Sequence, residues 1–518
     1  MNYLFNNKKV LFLFSSFLIS FFFFYILIYN FPIRFQENDD VIMLLLANGH
    51  YTGFFESNLI FIHPLYGRLL NFLYAKSDAY EWYTLLFLGF HLISLILVFF
   101  KIFNSKFTVV LKINLMILSL IICGNMLVYL QYTTTAFALV ISGIITLDFN
   151  NKYKLVFGTF LIFIASLIRF EATMLTLLIY TAYFFLLNRK NIKKEIKSFI
   201  YILFLIFSFF IINEIPRLCS NDDWKSYYAF SKASTGIGDN LLADDTESIY
   251  SGVCSKEEYG LLKSFYIDKN LIDLHKVKAL VINVDKKNTI QLYIVNFINQ
   301  ISAYKVEIFI LLSLVLFILF QLDNFNRINI IFILTFIFML SFYITMDATL
   351  KDRVFIGLVM ILILIICRYL SYLSIKSTYV VAMLFFLLSI YYANMLVTRI
   401  NDNRIARFYI YPNSKKIVDE ISSNDSSSYI IPYSSFFKVE LEDPFNISNN
   451  FKNNRFYFFG WMALTPYNSK IDKDNELNIS KKYLITLANK KDSPIYDLIK
   501  NLNTDIEILR LVSSEVYN

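Results

Sequence analysis

The sequence predicts an all-α polytopic membrane protein of about eleven transmembrane helices, followed by a small α+β domain outside the membrane. Three observations lead there. The 518 residues are 57% apolar and 18% aromatic, with only 17% charged, more apolar surface than a soluble domain can hide. The charges gather in short clusters between uncharged runs such as Val10 to Phe31 and Tyr379 to Val397, each about twenty residues, the length a helix needs to cross about 30 Å of hydrocarbon. The short basic connections all fall on one side when those runs are counted as alternating spans.

Taken in order, the spans fall near residues 10–31, 82–103, 108–128, 131–149, 154–170, 172–188, 198–213, 304–322, 328–346, 354–373 and 378–397. The first is read as retained: it is long for a signal-peptide core, and Asn30, Phe31, Pro32 and Ile33 offer no small-residue cleavage site. Lys8 and Lys9 place the N-terminus inside. Alternation then puts Lys101 and Lys106, Lys152 and Lys154, the basic run 189–197, Arg327 and Lys376 inside as well. The same anchoring role accounts for the net charge of +8 without a nucleic-acid partner. Abundant Phe, Tyr, Ile, Asn and Lys with 13 Gly and 8 Pro resembles AT-rich bacterial coding, so the expected location is a bacterial cytoplasmic membrane.

The transmembrane domain covers 1–397, with outside loops at 32–81 and 214–303, and the extracytoplasmic C-terminal domain covers 398–518. Residues 58–76, apolar but interrupted by His63, Pro64 and Arg68, suit a helix lying in the interface. In the tail, helices are expected near 415–422 and 494–502 and strands at 429–431 and 483–487. Cys123 and Cys367 fall within spans, whereas Cys219 and Cys254 share an outside loop where an oxidising setting favours a disulfide. No Cys/His spacing matches a metal set, and no Gly-rich phosphate loop is present.

The charged groups beside apolar runs carry the candidate chemistry. Glu37-Asn38-Asp39-Asp40 follows the first span on the outside. These residues can cap and charge the start of a helix at Val41, or one carboxylate can act as general base toward an attacking sugar hydroxyl. Arg169 and Glu171 end the fifth span. Arg169 can snorkel or aim its planar guanidinium at a phosphate. Lys351 and Arg353 lie outside, against the topological bias, and either pair with Asp347 and Asp352 or bind phosphate. His63 contacts a substrate or shapes the helix that Pro64 begins. Tyr132 and the threonines after it satisfy freed backbone groups or bind a sugar. Asp222-Asp223-Trp224 and Asp244-Asp245 read as solvated loop.

Together, Asp39-Asp40, His63-Pro64, Arg169-Phe170-Glu171, Arg353 and the outside C-terminal domain resemble the GT-C superfamily of membrane glycosyltransferases, which use polyprenyl-phosphate-linked sugars. The layout is also similar to bacterial membrane proteins whose tail carries Gly-Trp followed by Pro, here Gly460-Trp461 and Pro466. The resemblance implies that Asp39 or Asp40, with Glu37 competing for the role, is the base. It implies that Arg169 and Arg353, with Lys351, His63, Glu171 and Tyr132 around them, receive the lipid phosphate and sugar. The expected partners are membrane lipid, the lipid-linked sugar donor and a glycan acceptor. Some members use a divalent metal at the acidic motif; too few ligands stand in this sequence to assign one. Two rival readings belong to other classes. A surface-polysaccharide polymerase would depend on loop arginines rather than on the acids. A glycolipid transporter or flippase would perform no covalent chemistry, though the sequence has no internal repeat and few charges within its spans.

Overall fold

The computed structural model describes residues 2–189, 192–238, 247–263, 273–287, 290–347, 350–370, 373–410, 427–431, 443–447, 456–458, 462, 465–467, 481–486 and 506–510. Along them run α1 (Asn2–Asn30), α2 (Asn38–Ala47), α3 (Pro64–Lys76), α4 (Trp82–Phe103), α5 (Val109–Val128), α6 (Tyr132–Thr146), α7 (Lys152–Ile168), α8 (Phe170–Asn188) and α9 (Ile192–Leu218). The chain continues with α10 (Asp222–Gly238), α11 (Glu247–Tyr250), α12 (Lys256–Lys263), α13 (Leu274–Lys287), α14 (Ile290–Ser302), α15 (Lys305–Gln321), α16 (Asn324–Asp347), α17 (Asp352–Tyr369) and α18 (Ile375–Ile405).

A helix forms at each of the eleven expected positions, yet the count of membrane-crossing helices is smaller than eleven. Among the described residues seven helices are long and apolar enough to cross a membrane: α1, α4, α5, α8, α9, α16 and α18. An eighth arises if α14 and α15, bent by 88° at their junction, are one span. The shortfall is physical. α6 has 15 residues and α7 and α15 have 17 each, which at about 1.5 Å per residue leaves them short of about 30 Å of hydrocarbon. α17 carries Asp352, Arg353 and Arg368 within its 18 residues. The architecture is that of a helical membrane protein. Outward-facing Phe14, Phe22, Phe204 and Phe207 on α1 and α9 are exposed, which suits helices bathed in lipid.

Side-chain caps fix several helix starts: Thr108 accepts from Leu111 N, Asn151 from Tyr153 N and Lys154 N, and Ser374 from Ser377 N. At the core, α6 packs against α4, α7 and α17. The α6–α7 crossing is tight because two glycines meet there. A Cβ on either Gly143 or Gly158 would stand 2.8 Å from the other's carbonyl oxygen.

Near the C-terminal end of α1, β1 (Arg34–Phe35) pairs in parallel with β2 (Tyr129–Leu130). This short ladder joins the segment that follows α1 to the α5–α6 turn. In the tail, β3 (Ser427–Ile431), β4 (Phe456–Phe458), β5 (Lys481–Thr486) and β6 (Ile506–Arg510) form a parallel sheet in the order β4-β3-β5-β6. The expected strands at 429–431 and 483–487 correspond to β3 and β5; the expected helices at 415–422 and 494–502 lie outside the described residues, as do Gly460 and Trp461. Two tail segments reach the bundle. Thr84 Oγ1 donates to Pro444 O (2.6 Å), and Tyr467 Oη donates to Asn58 O (2.7 Å) while its ring packs edge-on against Trp224.

The helices α10 to α13 gather around a small apolar core of their own, with Phe230, Ile249, Tyr259, Leu262, Val277 and Leu280 buried. Cys254 packs against this cluster, while Cys219 is exposed just past the end of α9. Both are free thiols. The two cysteines of the expected loop disulfide are thus not joined in this structure.

Candidate functional site

The acidic motif opens α2, whose residues Asp39 to Ala47 are all buried. Glu37 takes the N-cap position in extended conformation but makes no side-chain cap bond. Its carboxylate is directed elsewhere: Glu37 Oε1 accepts from Arg353 NH1 at 2.8 Å. Thus Arg353 pairs with the segment that follows α1 and not with its neighbour Asp352. Asp352 instead accepts from Tyr304 Oη (2.8 Å) and Arg399 NH2 (3.4 Å). With its amide oxygen turned toward the guanidinium, Gln131 accepts from Arg353 NH1 at 2.8 Å and from Nε at 3.3 Å. An acid and an amide from two distant loops thereby hold a nearly buried arginine.

Asp40 is fully buried. Its Oδ1 accepts from Tyr83 Oη (2.9 Å) and Tyr132 N (3.1 Å), while Oδ2 has no hydrogen-bond partner among the described residues. Burial pushes its carboxyl well above the usual carboxylate range, with Asp39 adding to the rise; the bonds from Tyr83 and Tyr132 and the charge of Arg353 oppose it. Asp39, its neighbour on α2, is also buried. It lies within electrostatic reach of Arg169, Arg353 and Tyr132.

Arg169 is the single extended residue between α7 and α8, at φ −150° and ψ 100°. That break turns its side chain inward over the rings of Tyr132 (5.3 Å) and Phe61 (5.7 Å), which themselves stack at 6.1 Å. Its Nε meets Glu171 Oε2 at 3.0 Å, and Glu171 is mostly exposed. Arg169 does not simply snorkel: it is the cation of an aromatic shelf beside the acids.

His63 serves the fold. Its Nδ1 caps α3 by accepting from Leu65 N, its Nε2 donates to Ile212 O at 3.0 Å, and its backbone N donates to Leu167 O. Burial holds its pKa below the ordinary histidine value, so the ring is the neutral tautomer that those two bonds require. The expected interfacial helix starts at Pro64, not at 58, for Pro takes the first helical position readily. The threonine hydroxyls after Tyr132 bond locally: Thr134 and Thr135 both donate to Gln131 O. Lys351 precedes α17 without a side-chain cap. Asp222 and Asp223 start α10, exposed; Asp244 and Asp245 lie outside the described residues.

Sequence reasoning missed Tyr83, Gln131 and Phe61 as members of this site. Gln131 heads the turn that Tyr132 and the threonines mark, and Phe61 lies within 58–76, but neither carries a mark of its own; Tyr83 and Phe61 are two of 91 tyrosines and phenylalanines. Around Asp39, then, are an arginine clamped by Glu37 and Gln131, an arginine on an aromatic shelf, and a second carboxyl held by Tyr83. Such an arrangement can hold an anion against two guanidiniums while a carboxylate takes a proton. Among the described residues no three His, Cys, Asp or Glu side chains gather as a metal-binding group. Comparison with protein-family models, curated proteins and solved structures finds no match for this chain.

Proposed function

We propose that this protein is a membrane glycosyltransferase, moving a sugar from a polyprenyl-phosphate-linked donor to a cell-surface glycan or lipid acceptor at the outer membrane face. The observation that carries the reading is the convergence of Asp39 with Arg169 and Arg353 from segments more than a hundred residues apart. In this reaction the acceptor hydroxyl attacks the anomeric carbon, its proton passes to Asp39, and the bond from that carbon to the phosphate oxygen breaks. The departing lipid phosphate gains charge, which Arg169 and Arg353 offset. Asp39 is assigned as base over Asp40 because it is the acid within electrostatic reach of both arginines, whereas Asp40 feels Arg353 and is already held by Tyr83 and Tyr132. Asp40 is a positioning residue, tying α2 to Tyr83 and to the start of α6. Glu37, already paired with Arg353, orients that guanidinium.

The test is glycan extension in the native host. Asp39→Asn, with protein level checked by immunoblot, is expected to lose activity by about 100-fold or more, the usual share of a general base. Unchanged extension at normal level overturns the assignment. Loss through Arg169→Ala or Arg353→Ala with all three acids dispensable would instead favour a polysaccharide polymerase.

A further inference from the structure

The junction between α14 and α15 turns the chain through 88°, so α14 lies across the direction of the apolar helix that follows it. Its inner face is fixed by specific contacts. Phe297 packs edge-on against Phe338 and Phe342 of α16, at 5.0 and 5.3 Å. Asn296 Nδ2 donates to Thr345 O (3.3 Å), Gln300 Nε2 donates to Asn296 Oδ1 (3.1 Å), and Gln300 Oε1 accepts from Leu350 N.

The outer side is divided. Ile290, Ile294 and Ile298, spaced four apart on one strip, are 75%, 44% and 58% exposed. Gln291, Asn299 and Ser302 are exposed on the adjoining strip, which also carries exposed Val295 between them and Leu292 at its edge. Phe309 and Leu312 of α15 and Phe338 and Met339 of α16 are exposed as well, side chains that a membrane protein presents to lipid tails.

We propose that α14 is an interfacial helix lying in the plane of the bilayer surface, with Ile290, Ile294 and Ile298 dipped among the acyl chains and Gln291, Asn299 and Ser302 facing water. Two features select lipid as the occupant: the right-angle bend away from an apolar helix, and the exposed apolar side chains that this helix and α16 carry beside it. The consequence reaches the site already described. The same Asn296 and Gln300 that seat α14 hold the backbone at Thr345 and Leu350, and Leu350 lies three residues before Arg353. The membrane surface itself therefore sets the height of the loop that delivers Arg353. This inference is independent of sugar transfer and stands or falls on depth alone.

Ile294→Trp and Ile298→Trp, each in the full chain, are reconstituted into phosphatidylcholine vesicles brominated either near the acyl carbonyls or near the chain ends. The emission of the parent, from Trp82, Trp224 and Trp461, is subtracted. Each added indole is expected to lose roughly half its emission to the shallow bromines and less to the deep ones, as a helix buried about 5–10 Å requires. Asn299→Trp is expected to lose little to either. Stronger quenching by deep bromines would make α14 part of a spanning or re-entrant segment. No quenching at 294 and 298, in variants eluting as the parent does, would mean that protein or water covers the strip. Either result overturns the proposal.

Discussion

Asp40 places a carboxyl where water cannot reach it, with one oxygen bonded and the other without a hydrogen-bond partner among the described residues. A carboxyl whose folded pKa lies above its unfolded value of about 3.9 contributes its stability below that value and loses it as pH rises through the folded pKa. The protein should therefore become less stable across the range from about pH 4 up to that raised pKa, as Asp40 is driven to ionise inside the fold. Asp40→Asn keeps an oxygen to accept from Tyr83 and Tyr132 and cannot ionise. Thermal unfolding in detergent over this range should show the variant gaining on the parent as pH rises. A constant difference at every pH would mean that Asp40 does not titrate against its burial. The same pair of variants separates the two acids chemically. If Asp39 is the base, Asp40→Asn retains most of the glycan extension that Asp39→Asn abolishes.

At the scale of elements, the α6–α7 crossing sets the geometry of the site, because Tyr132 begins α6 and Arg169 ends α7. Gly158→Ala puts a methyl 2.8 Å from Gly143 O and 3.1 Å from Leu147 N, both backbone atoms that cannot rotate away. Overpacking of this kind costs about 1–3 kcal/mol. It should lower the thermal midpoint, whereas Gly89→Ala in α4, with nothing within 4 Å of the added carbon, should not. Equal behaviour of the two variants would contradict the close crossing. Hydropathy located these elements well because charge-free runs are conspicuous, but it misjudged their ends. α6 was expected over 131–149 and stops at Thr146; α9 was expected over 198–213 and runs from Ile192 through Pro216 to Leu218. α18 continues past 397 to Ile405, carrying Arg399 and Asn403 into the polar layer, where Asn403 accepts from Arg34 and donates to Pro32 O. In the site, Asp39, Arg169 and Arg353 were legible because a charge beside an apolar run is costly and so draws notice. Tyr83 and Phe61 were not, since an aromatic residue in an aromatic-rich sequence carries no such mark. His63 was legible as a residue of interest, yet the proline after it already pointed to the helix start that it caps.

The whole molecule has two charged ends. At one end Lys101 is within electrostatic reach of Lys154, Arg368 and Asp148, and Lys154 pairs with Asp148 at 3.2 Å. These are connections expected on the cytoplasmic side. At the other end lie the acids, Arg169, Arg353 and the β1–β2 ladder, where Arg34 and Arg399 both stack on Tyr129 (4.4 and 4.8 Å). The C-terminal ends of α1 and α18 are joined there through Arg34, Asn403 and Arg407, the last donating to Ile33 O at 2.7 Å. Tail residues dock at this same end, Pro444 on Thr84 and Tyr467 on Asn58. The tail therefore shares an end with the site, opposite to Lys101 and Lys154, whether seven or eight helices cross the bilayer. Cysteines introduced at the exposed Phe445 and Tyr153, in a chain with its four native cysteines replaced, give a direct reading in intact cells. A membrane-impermeant maleimide should label position 445 from outside and reach position 153 only after permeabilisation. Labelling of both from the same side would break the two-ended arrangement. Labelling of 153 alone would put the acids and arginines in the cytoplasm and remove the reason for a lipid-linked donor, because nucleotide sugars are present there.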